Sequence, residues 1–175
     1  MSKKVAVVVV NPVNGLGLFQ YLENFFENKI SYKTFAVSNA VAVKTNSGVS
    51  LQTDFLISDL KGKERGYDAL VFCCGDAMPS FGKNLEEPFN ETLLAVLKNF
   101  HKHGKMIIGH CAAAIAFELA GISDGKHVAV HPYGKAALTK SIAADAKTAT
   151  DGNLYTAESE RFIEMLMPAI LDVLK

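Results

Sequence analysis

One cysteine of this chain lies where an exposed, reactive thiol is expected, at the junction of a short apolar strand and an alanine-rich helix. Residues 109–113 read Gly-His-Cys-Ala-Ala, the cysteine counterpart of the G-x-S-x-G elbow, in which small neighbours allow a tight turn to present the nucleophile. The first amides of the following helix would point at the Cys111 sulfur and favour its thiolate form. Burial of Cys111 as a small core residue is the alternative interpretation.

A thiol nucleophile needs a base within hydrogen-bonding distance, and the sequence offers five histidines. His131 is favoured because it ends an apolar segment directly before Pro132, and the end of that predicted strand should fall near the elbow. His110 is predicted to project away from the Cys111 thiol, where it would contact a ligand or simply pack. The remaining histidines are predicted to lie at the surface, namely His101, His103 and His127.

An oxyanion site requires two backbone N–H groups that point at one spot. The amide of Ala112 follows the nucleophile, and Gly75, at the end of the neighbouring predicted strand, is the natural second donor. Gly75 is equally consistent with a turn. Cys73 and Cys74 come directly before it, and we interpret both as packing residues, with sensitivity to oxidation as the alternative.

Two loops are expected to meet the elbow, one after each of two buried strands. The first, 11–17, leads into a helix, so its amides could hold an anion, although it has neither a P-loop lysine nor a full dinucleotide fingerprint and an ordinary turn fits it as well. The second loop spans 75–81. The predicted ligand-binding residues are Asn14, Gly15, Asp76 and His110.

The hydrophobic pattern predicts an α/β fold, a doubly wound three-layer sandwich with a mostly parallel central sheet, in a single domain over 1–175. Ligands bind such sheets at the carboxyl ends of the strands, where the strand order reverses. The predicted strands are 5–10, 31–37, 40–44, 49–52, 68–74, 105–109, 127–130, 146–150 and 154–156. The predicted helices are 18–27, 89–103, 112–120 and 158–174.

Composition argues against several classes of protein. The 18 basic and 18 acidic residues cancel, so we expect no nucleic-acid partner. The apolar runs are too short to span a membrane, and the start Met-Ser-Lys-Lys leads into a strand rather than a signal peptide, which predicts a cytoplasmic protein. Three cysteines without metal-finger spacing predict reduced thiols and no metal site.

Taken together, these motifs resemble the ThiJ/PfpI superfamily, the branch of class I glutamine amidotransferase-like proteins that includes intracellular protease I, glyoxalase or deglycase proteins and related chaperones. The similarity runs through most of the chain. It is carried by the first strand, 4–10, the segment 68–75, the elbow 109–112, the segments 120–122 and 125–126, the dipeptide 131–132, and the end from 151 onward.

The resemblance implies a flavodoxin-like fold, an elbow cysteine at Cys111, a nearby histidine at His131, and a homodimer or larger homo-oligomer. Four departures concern function. Residues 14–19 lack the carboxylate that usually contacts the family's cysteine, and Cys74-Gly75 replaces the usual Gly-Gly pair. Residues 156–159 replace a turn that contains Ser-Arg. The protease branch also places a histidine after the cysteine, where this chain has Ala112, so peptidase activity is not expected.

Three functions follow from these observations. The first is an enzyme that needs no cofactor, a hydrolase, lyase or deglycase in which the Cys111 thiolate attacks a reactive carbonyl or amide compound. The second is a non-catalytic module that binds or senses a small anionic molecule, for which a mononucleotide such as flavin mononucleotide is one candidate. The third is a redox sensor in which Cys111 is oxidised to a sulfinic acid.

Overall fold

Strands and helices alternate along residues 3–175, the part of the chain that the computed structural model describes. Residues 1 and 2, which the predicted domain and the predicted start of the chain include, lie outside the described residues. The strands are Lys4–Val10 (β1), Ser31–Val37 (β2), Ala42–Lys44 (β3), Ser50–Gln52 (β4), Phe55–Leu56 (β5), Ala69–Cys73 (β6), Met106–His110 (β7), His127–Val128 (β8), Ile142–Ala143 (β9), Thr148–Asp151 (β10) and Leu154–Ala157 (β11). The helices are Gly15–Glu27 (α1), Ile57–Leu60 (α2), Met78–Phe81 (α3), Pro88–Lys102 (α4), Ala113–Leu119 (α5) and Ile163–Leu174 (α6), with 3₁₀ turns at Glu64–Gly66, Pro132–Ala137 and Glu160–Phe162.

The main sheet of the described residues has the strand order β10-β11-β7-β6-β1-β2-β5. All neighbours in it run parallel except β10 and β11. A parallel strand is covered on both faces, which explains why residues 5–10 of β1 are all buried and apolar. Helix α1 packs with α6, and α4 packs with α2 and α5. The predicted three-layer sandwich with a mostly parallel sheet is confirmed.

The strand order reverses beside β1, and this reversal locates the site. From β1 the chain adds β2 on one side, and it later adds β6, β7 and β11 on the other side. The loops that follow β1 and β6 therefore leave the sheet in opposite directions and open a crevice at the carboxyl ends of the strands.

Local sequence signals fix the helix ends next to this crevice. The Asn14 side chain caps α1 by accepting a hydrogen bond from the Gly17 amide at 2.7 Å. Helix α5 ends at Gly121, which has a φ of 68°, and the amides of Gly121 and Ile122 bond back to the carbonyls of Glu118 and Phe117. This is a Schellman motif, as the glycine predicts.

Two predicted elements differ from the structure. The predicted strand 127–130 shortens to β8, which pairs with β9 in a separate two-stranded sheet and does not join the main sheet. The predicted terminal helix 158–174 begins with a 3₁₀ turn, because the Ser159 hydroxyl accepts a hydrogen bond from the Arg161 amide, and its α-helical part starts at Ile163.

The other predicted elements agree with the structure to within a few residues, including the hairpin of β3 and β4. Strands β5 and β9 and helices α2 and α3 were not predicted. Each has at most four residues, which is too short for a periodic pattern to show. Among residues 3–175, no helix is long and apolar enough to cross a membrane.

Candidate functional site

The predicted elbow is present at Cys111. This residue has a φ of 57°, a left-handed conformation that, among residues 3–175, only Lys29 shares outside the glycines. Holding a side chain there costs of order 1–3 kcal/mol and is typical of functional turns. A Cβ atom on Gly109 would lie 2.6 Å from the Cβ of Ala113 and 2.8 Å from the Phe117 ring, so the small neighbours are sterically required.

Cys111 opens into a pocket of about 380 Å³ at the reversal of strand order. The thiol is partly exposed, which rules out the alternative that it is sealed in the core. Seven of the eight predicted site residues line this pocket, namely Asn14, Gly75, Asp76, His110, Cys111, Ala112 and His131. Gly15 lies beside the Thr45 side chain instead, at the start of α1. The structure therefore brings the predicted elbow and loop residues together.

Cys74, rather than a histidine, has the largest effect on the pKa of the Cys111 thiol. Parallel pairing of β6 with β7 places Phe72 opposite Gly109, and Cys74 and Cys111 each follow two residues later, directly beyond the ends of these strands. A hydrogen bond from the Cys74 thiol lowers the pKa of Cys111, burial raises it, and a bond from the Ala112 amide lowers it again. Its pKa lies below that of an ordinary cysteine.

The two thiols have opposite tendencies to ionise. Donation to Cys111 raises the pKa of Cys74, and burial raises it further, against the amides of Ala112 and Gly75. Cys111 is therefore the sulfur that ionises, and Cys74 remains a thiol that donates to it. Of the predicted oxyanion pair, the Ala112 amide acts on both sulfurs and the Gly75 amide acts on Cys74.

The carboxylate that is missing from residues 14–19 is not replaced by another acidic group that lowers the pKa of Cys111. Glu160 and Asp76 act on Cys111 through their negative charge, which raises the pKa of its thiol. The family resemblance leads one to expect a carboxyl group that tunes the Cys111 thiol, but here the Cys74 thiol has that effect.

His131 lies on the pocket wall, although its segment is not a strand of the main sheet. Its backbone amide is 3.4 Å from the Cys111 carbonyl oxygen, and its Nδ1 atom accepts from the Tyr133 amide at 3.4 Å. In the neutral ring this contact places the proton on Nε2. The Thr156 hydroxyl accepts from the Ala129 amide at 2.8 Å and so ties the segment before His131 to β11.

His110 also lines the pocket, although its side chain is almost completely buried. Its Nδ1 atom lies 3.5 Å from the Tyr21 hydroxyl, while Nε2 has no hydrogen-bond partner within the described residues. Burial lowers the pKa of His110 to about 4, so the ring is neutral near pH 7. A Cβ atom on Gly17 would lie 2.5 Å from Nε2, which shows that the ring packs against the start of α1.

The loop after β1 uses several of its amides inside the protein. The Asn14 amide donates to the Cys74 carbonyl at 2.9 Å, the Gly17 amide donates to the Asn14 side chain, and the Leu18 amide donates to the Asn14 carbonyl. Gly75 is held so close to this loop that a Cβ atom there would lie 2.3 Å from the Pro12 carbonyl oxygen. The loop is therefore poorly suited to hold a phosphate with these amides.

Several pocket residues were not identified from the sequence. Asn46 comes from the loop between β3 and β4, and its side-chain oxygen accepts from the Asp76 amide at 3.1 Å. The others are Cys74, Met78, Pro79, Ile115, Tyr133 and Gly134. For Cys74 the sequence did contain a signal, since the ends of neighbouring parallel strands meet. Within residues 3–175, no group of three or more His, Cys, Asp or Glu side chains could hold a metal ion.

Comparisons with known proteins agree with this architecture. Residues 3–172 match the DJ-1/PfpI family. Protein ppBat of Bacteroides thetaiotaomicron is 54% identical over 175 residues, which cover 100% of both chains. A crystal structure of the "putative protease I" from Bacteroides thetaiotaomicron has a TM-score of 0.97 at 54% identity and covers 99% of this chain and 100% of that chain.

A more distant structure, Drosophila melanogaster DJ-1beta, has a TM-score of 0.86 at 20% identity and covers 99% of this chain and 91% of that chain. At this identity it shows a shared fold. The family match and the 54% identical relative each span nearly the whole of the sequence. The ThiJ/PfpI resemblance of the motifs is thereby confirmed, and the chain belongs to the DJ-1/PfpI family.

Proposed function

We propose that this protein is a cysteine-dependent enzyme that attacks the reactive carbonyl or amide carbon of a small molecule with the Cys111 thiolate. One observation carries the proposal. A strained elbow holds Cys111 at the wall of a pocket, where the Cys74 thiol and the Ala112 amide donate to its sulfur and lower its pKa. A thiolate is the nucleophilic form of cysteine, and such donors increase its fraction at neutral pH.

The first step is addition of the thiolate to the carbonyl carbon, which moves the C=O electron pair onto oxygen. The resulting oxyanion would accept hydrogen bonds from the amides of Ala112 and Gly75, and this role is supported by the effect of both amides on the pKa of the neighbouring Cys74 thiol. With an amide substrate, the His131 imidazolium gives a proton to the leaving amine. Neutral His131 then takes a proton from the water that hydrolyses the thioester, which returns the Cys111 thiolate.

The size and shape of the pocket favour a small substrate over a peptide. A volume of about 380 Å³ lies at the lower end of the range for small-molecule sites. The relative from Bacteroides thetaiotaomicron carries the name protease I, but the histidine beside the cysteine precedes it here, as His110, and is buried. We therefore place small aldehydes and amides ahead of peptides.

The proposed reaction transfers no electrons to or from the protein, so it requires no redox cofactor. A bound mononucleotide is the competing proposal, and the loop amides of Asn14, Gly17 and Leu18, which are already paired, argue against it. Native mass spectrometry of freshly purified protein tests this alternative, because a flavin or another phosphate ester would appear as a defined added mass.

The test of the proposed function combines labelling with turnover. Iodoacetamide should alkylate Cys111 well before Cys73 and Cys74, since both of those thiols are buried. Turnover of a small α-oxoaldehyde or a short-chain amide should be lost in Cys111→Ser and strongly reduced in His131→Gln. A labelled peptide serves as the comparison substrate and should be cleaved much more slowly.

Two results would contradict the proposal. Equal alkylation of the three cysteines in the folded protein would show that Cys111 has no special reactivity. Turnover that survives in Cys111→Ser, once circular dichroism has shown that this variant is folded, would place the chemistry elsewhere.

A further inference from the structure

The second thiol at the elbow has a use that addition to a carbonyl does not require. Cys74 lines the same pocket as Cys111, yet it is only 2% exposed, whereas Cys111 is partly open to solvent. A small oxidant that enters the pocket would therefore meet Cys111 first and find Cys74 directly behind it.

The backbone brings the two cysteines to neighbouring strand ends. Phe72 of β6 pairs with Gly109 of β7, and Cys74 and Cys111 each follow two residues later, directly beyond the last residue of their strands. Adjacent strands lie about 4.7–4.9 Å apart, and disulfides join Cα atoms that are about 4.4–6.8 Å apart. Both cysteines also line the same pocket.

The side chains also face the same pocket. Residues alternate between the two faces along a strand, and opposed residues of parallel neighbours share a face. Phe72 and Gly109 both face Phe117 of α5, so the next residues, Cys73 and His110, lie on the other face. Directly after them Cys111 has a φ of 57° and leaves this alternation, and it lines the pocket together with Cys74.

We propose that Cys74 and Cys111 form a dithiol–disulfide couple that is oxidised by small hydroperoxides, so that Cys74 resolves oxidised Cys111 within the same chain. This inference goes beyond carbonyl chemistry and does not depend on it. It also differs from the sensor predicted from the sequence, in which Cys111 proceeds to a sulfinic acid.

The couple is oxidised in two steps. The Cys111 thiolate attacks the distal oxygen of R–O–O–H, the O–O bond breaks, and the alkoxide takes a proton from water to leave as R–OH with Cys111 as a sulfenic acid. The Cys74 sulfur then attacks the Cys111 sulfur, the S–S bond forms, and the S–O bond breaks. The departing hydroxide takes up the Cys74 proton as water. Two thiols have supplied two electrons, and an external dithiol returns them.

The experiment uses the full chain with one equivalent of hydrogen peroxide, alkylation of the remaining thiols, and peptide mass spectrometry after trypsin. We expect the peptide with Cys73 and Cys74 to be joined to the peptide with Cys111, at a mass two hydrogens below their sum. Dithiothreitol should restore alkylation of Cys111 completely, since a disulfide is reducible and a sulfinic acid is not. On a non-reducing gel the oxidised protein should remain monomeric.

Two matched variants show which cysteine is the disulfide partner of Cys111, and their folding is checked separately. Cys74→Ser keeps a hydrogen-bond donor beside Cys111 but cannot form the bond, so Cys111 should gain two or three oxygen atoms and lose its recovery with dithiothreitol. Cys73→Ala should form the joined peptide as fully as the unmodified protein. Circular dichroism confirms that both variants are folded.

Three results would overturn the inference. One is direct conversion of Cys111 to a sulfinic acid in the unmodified protein while Cys74 remains open to alkylation after unfolding. Another is loss of the joined peptide in Cys73→Ala, which would make Cys73 the partner. The last is a disulfide found only between two chains. None of these results bears on carbonyl turnover, so the two proposals fail separately.

Discussion

Two neighbouring pairs of residues at the same strand ends behave in opposite ways. Cys73 and His110 form an inner pair, buried on one face of the sheet, and Cys74 and Cys111 form an outer pair at the pocket wall. Burial raises the pKa of the Cys73 thiol and lowers that of His110, so both members of the inner pair are neutral. In the outer pair, the hydrogen bond from Cys74 lowers the pKa of Cys111.

The contrast shows that side-chain alternation along a strand decides which thiol can do chemistry. Cys73 and Cys74 are adjacent in sequence, yet one faces the buried side of the sheet and the other meets the elbow. A shift of one residue in either strand would exchange their roles.

The largest expected effect separates the two pairs by activity. Cys111→Ala should lower kcat/KM for the small carbonyl substrate by at least about a thousandfold, because a nucleophile is lost. Cys73→Ala should leave it within a factor of about two, since Cys73 contacts neither pocket nor elbow thiol. Steady-state kinetics on both variants measures the difference, and a comparable loss in the two would end the distinction between the pairs.

The inner pair should respond to acid through His110. The pKa of this buried ring is lowered from 6.5 to about 4, so between these values the unfolded chain binds a proton that the folded protein does not. The free energy of unfolding should therefore decrease as the pH is lowered from 6.5 to about 4. Once the pH is below about 4, the loss from this group alone should be roughly 3 kcal/mol. Urea unfolding across this window should show a shallower fall for His110→Phe, and an unchanged slope would contradict the assignment.

Packing of the inner pair should make Gly17 sensitive to a single added methyl group. In Gly17→Ala the new Cβ would lie 2.5 Å from the buried His110 ring, and we expect a loss of roughly 1–3 kcal/mol in unfolding free energy. The matched control is Gly15→Ala, where the nearest atom is 3.2 Å away on the Thr45 side chain. The midpoint temperature of thermal unfolding should fall in Gly17→Ala and change little in Gly15→Ala. The reverse order would show that His110 does not pack on α1 as described.

The smallest expected effect concerns the hydrogen bond within the outer pair. In Cys74→Ala the pKa of Cys111 should rise, because the donor that stabilises its thiolate is lost. A bond of about 1 kcal/mol corresponds to roughly fivefold less thiolate at pH values below the pKa. The pH profile of iodoacetamide alkylation should shift upward in Cys74→Ala and less in Cys74→Ser. Identical profiles for all three proteins would show that Cys74 does not tune Cys111.

Local patterns in the sequence were sufficient to predict the elbow, the central strands and the three-layer fold. Gly109 and Ala113 mark the elbow, because only small residues fit there. The apolar run of β1 marks a strand covered on both faces. These signals are local in the chain, and each depends on a property of a few adjacent residues.

The partner of Cys111 could not be predicted in the same way. Its identity depends on the register between β6 and β7, which no nearby pattern specifies. Cys74 was therefore interpreted as a packing residue. For His131 the predicted location was right although the predicted structure was not. This residue lines the pocket, but its segment does not form the predicted strand of the main sheet.

The Thr156 hydroxyl described above makes the two walls of the pocket mechanically unequal. The sulfur wall follows directly on β6 and β7, whereas the His131 wall is held by hydrogen bonds from the Ala129 amide to the Thr156 hydroxyl and from the His131 amide to the Cys111 carbonyl. We expect bulkier substrates to displace the His131 wall while the nucleophile stays in place. Selection among substrates of different size would then depend on a threonine that does not line the pocket.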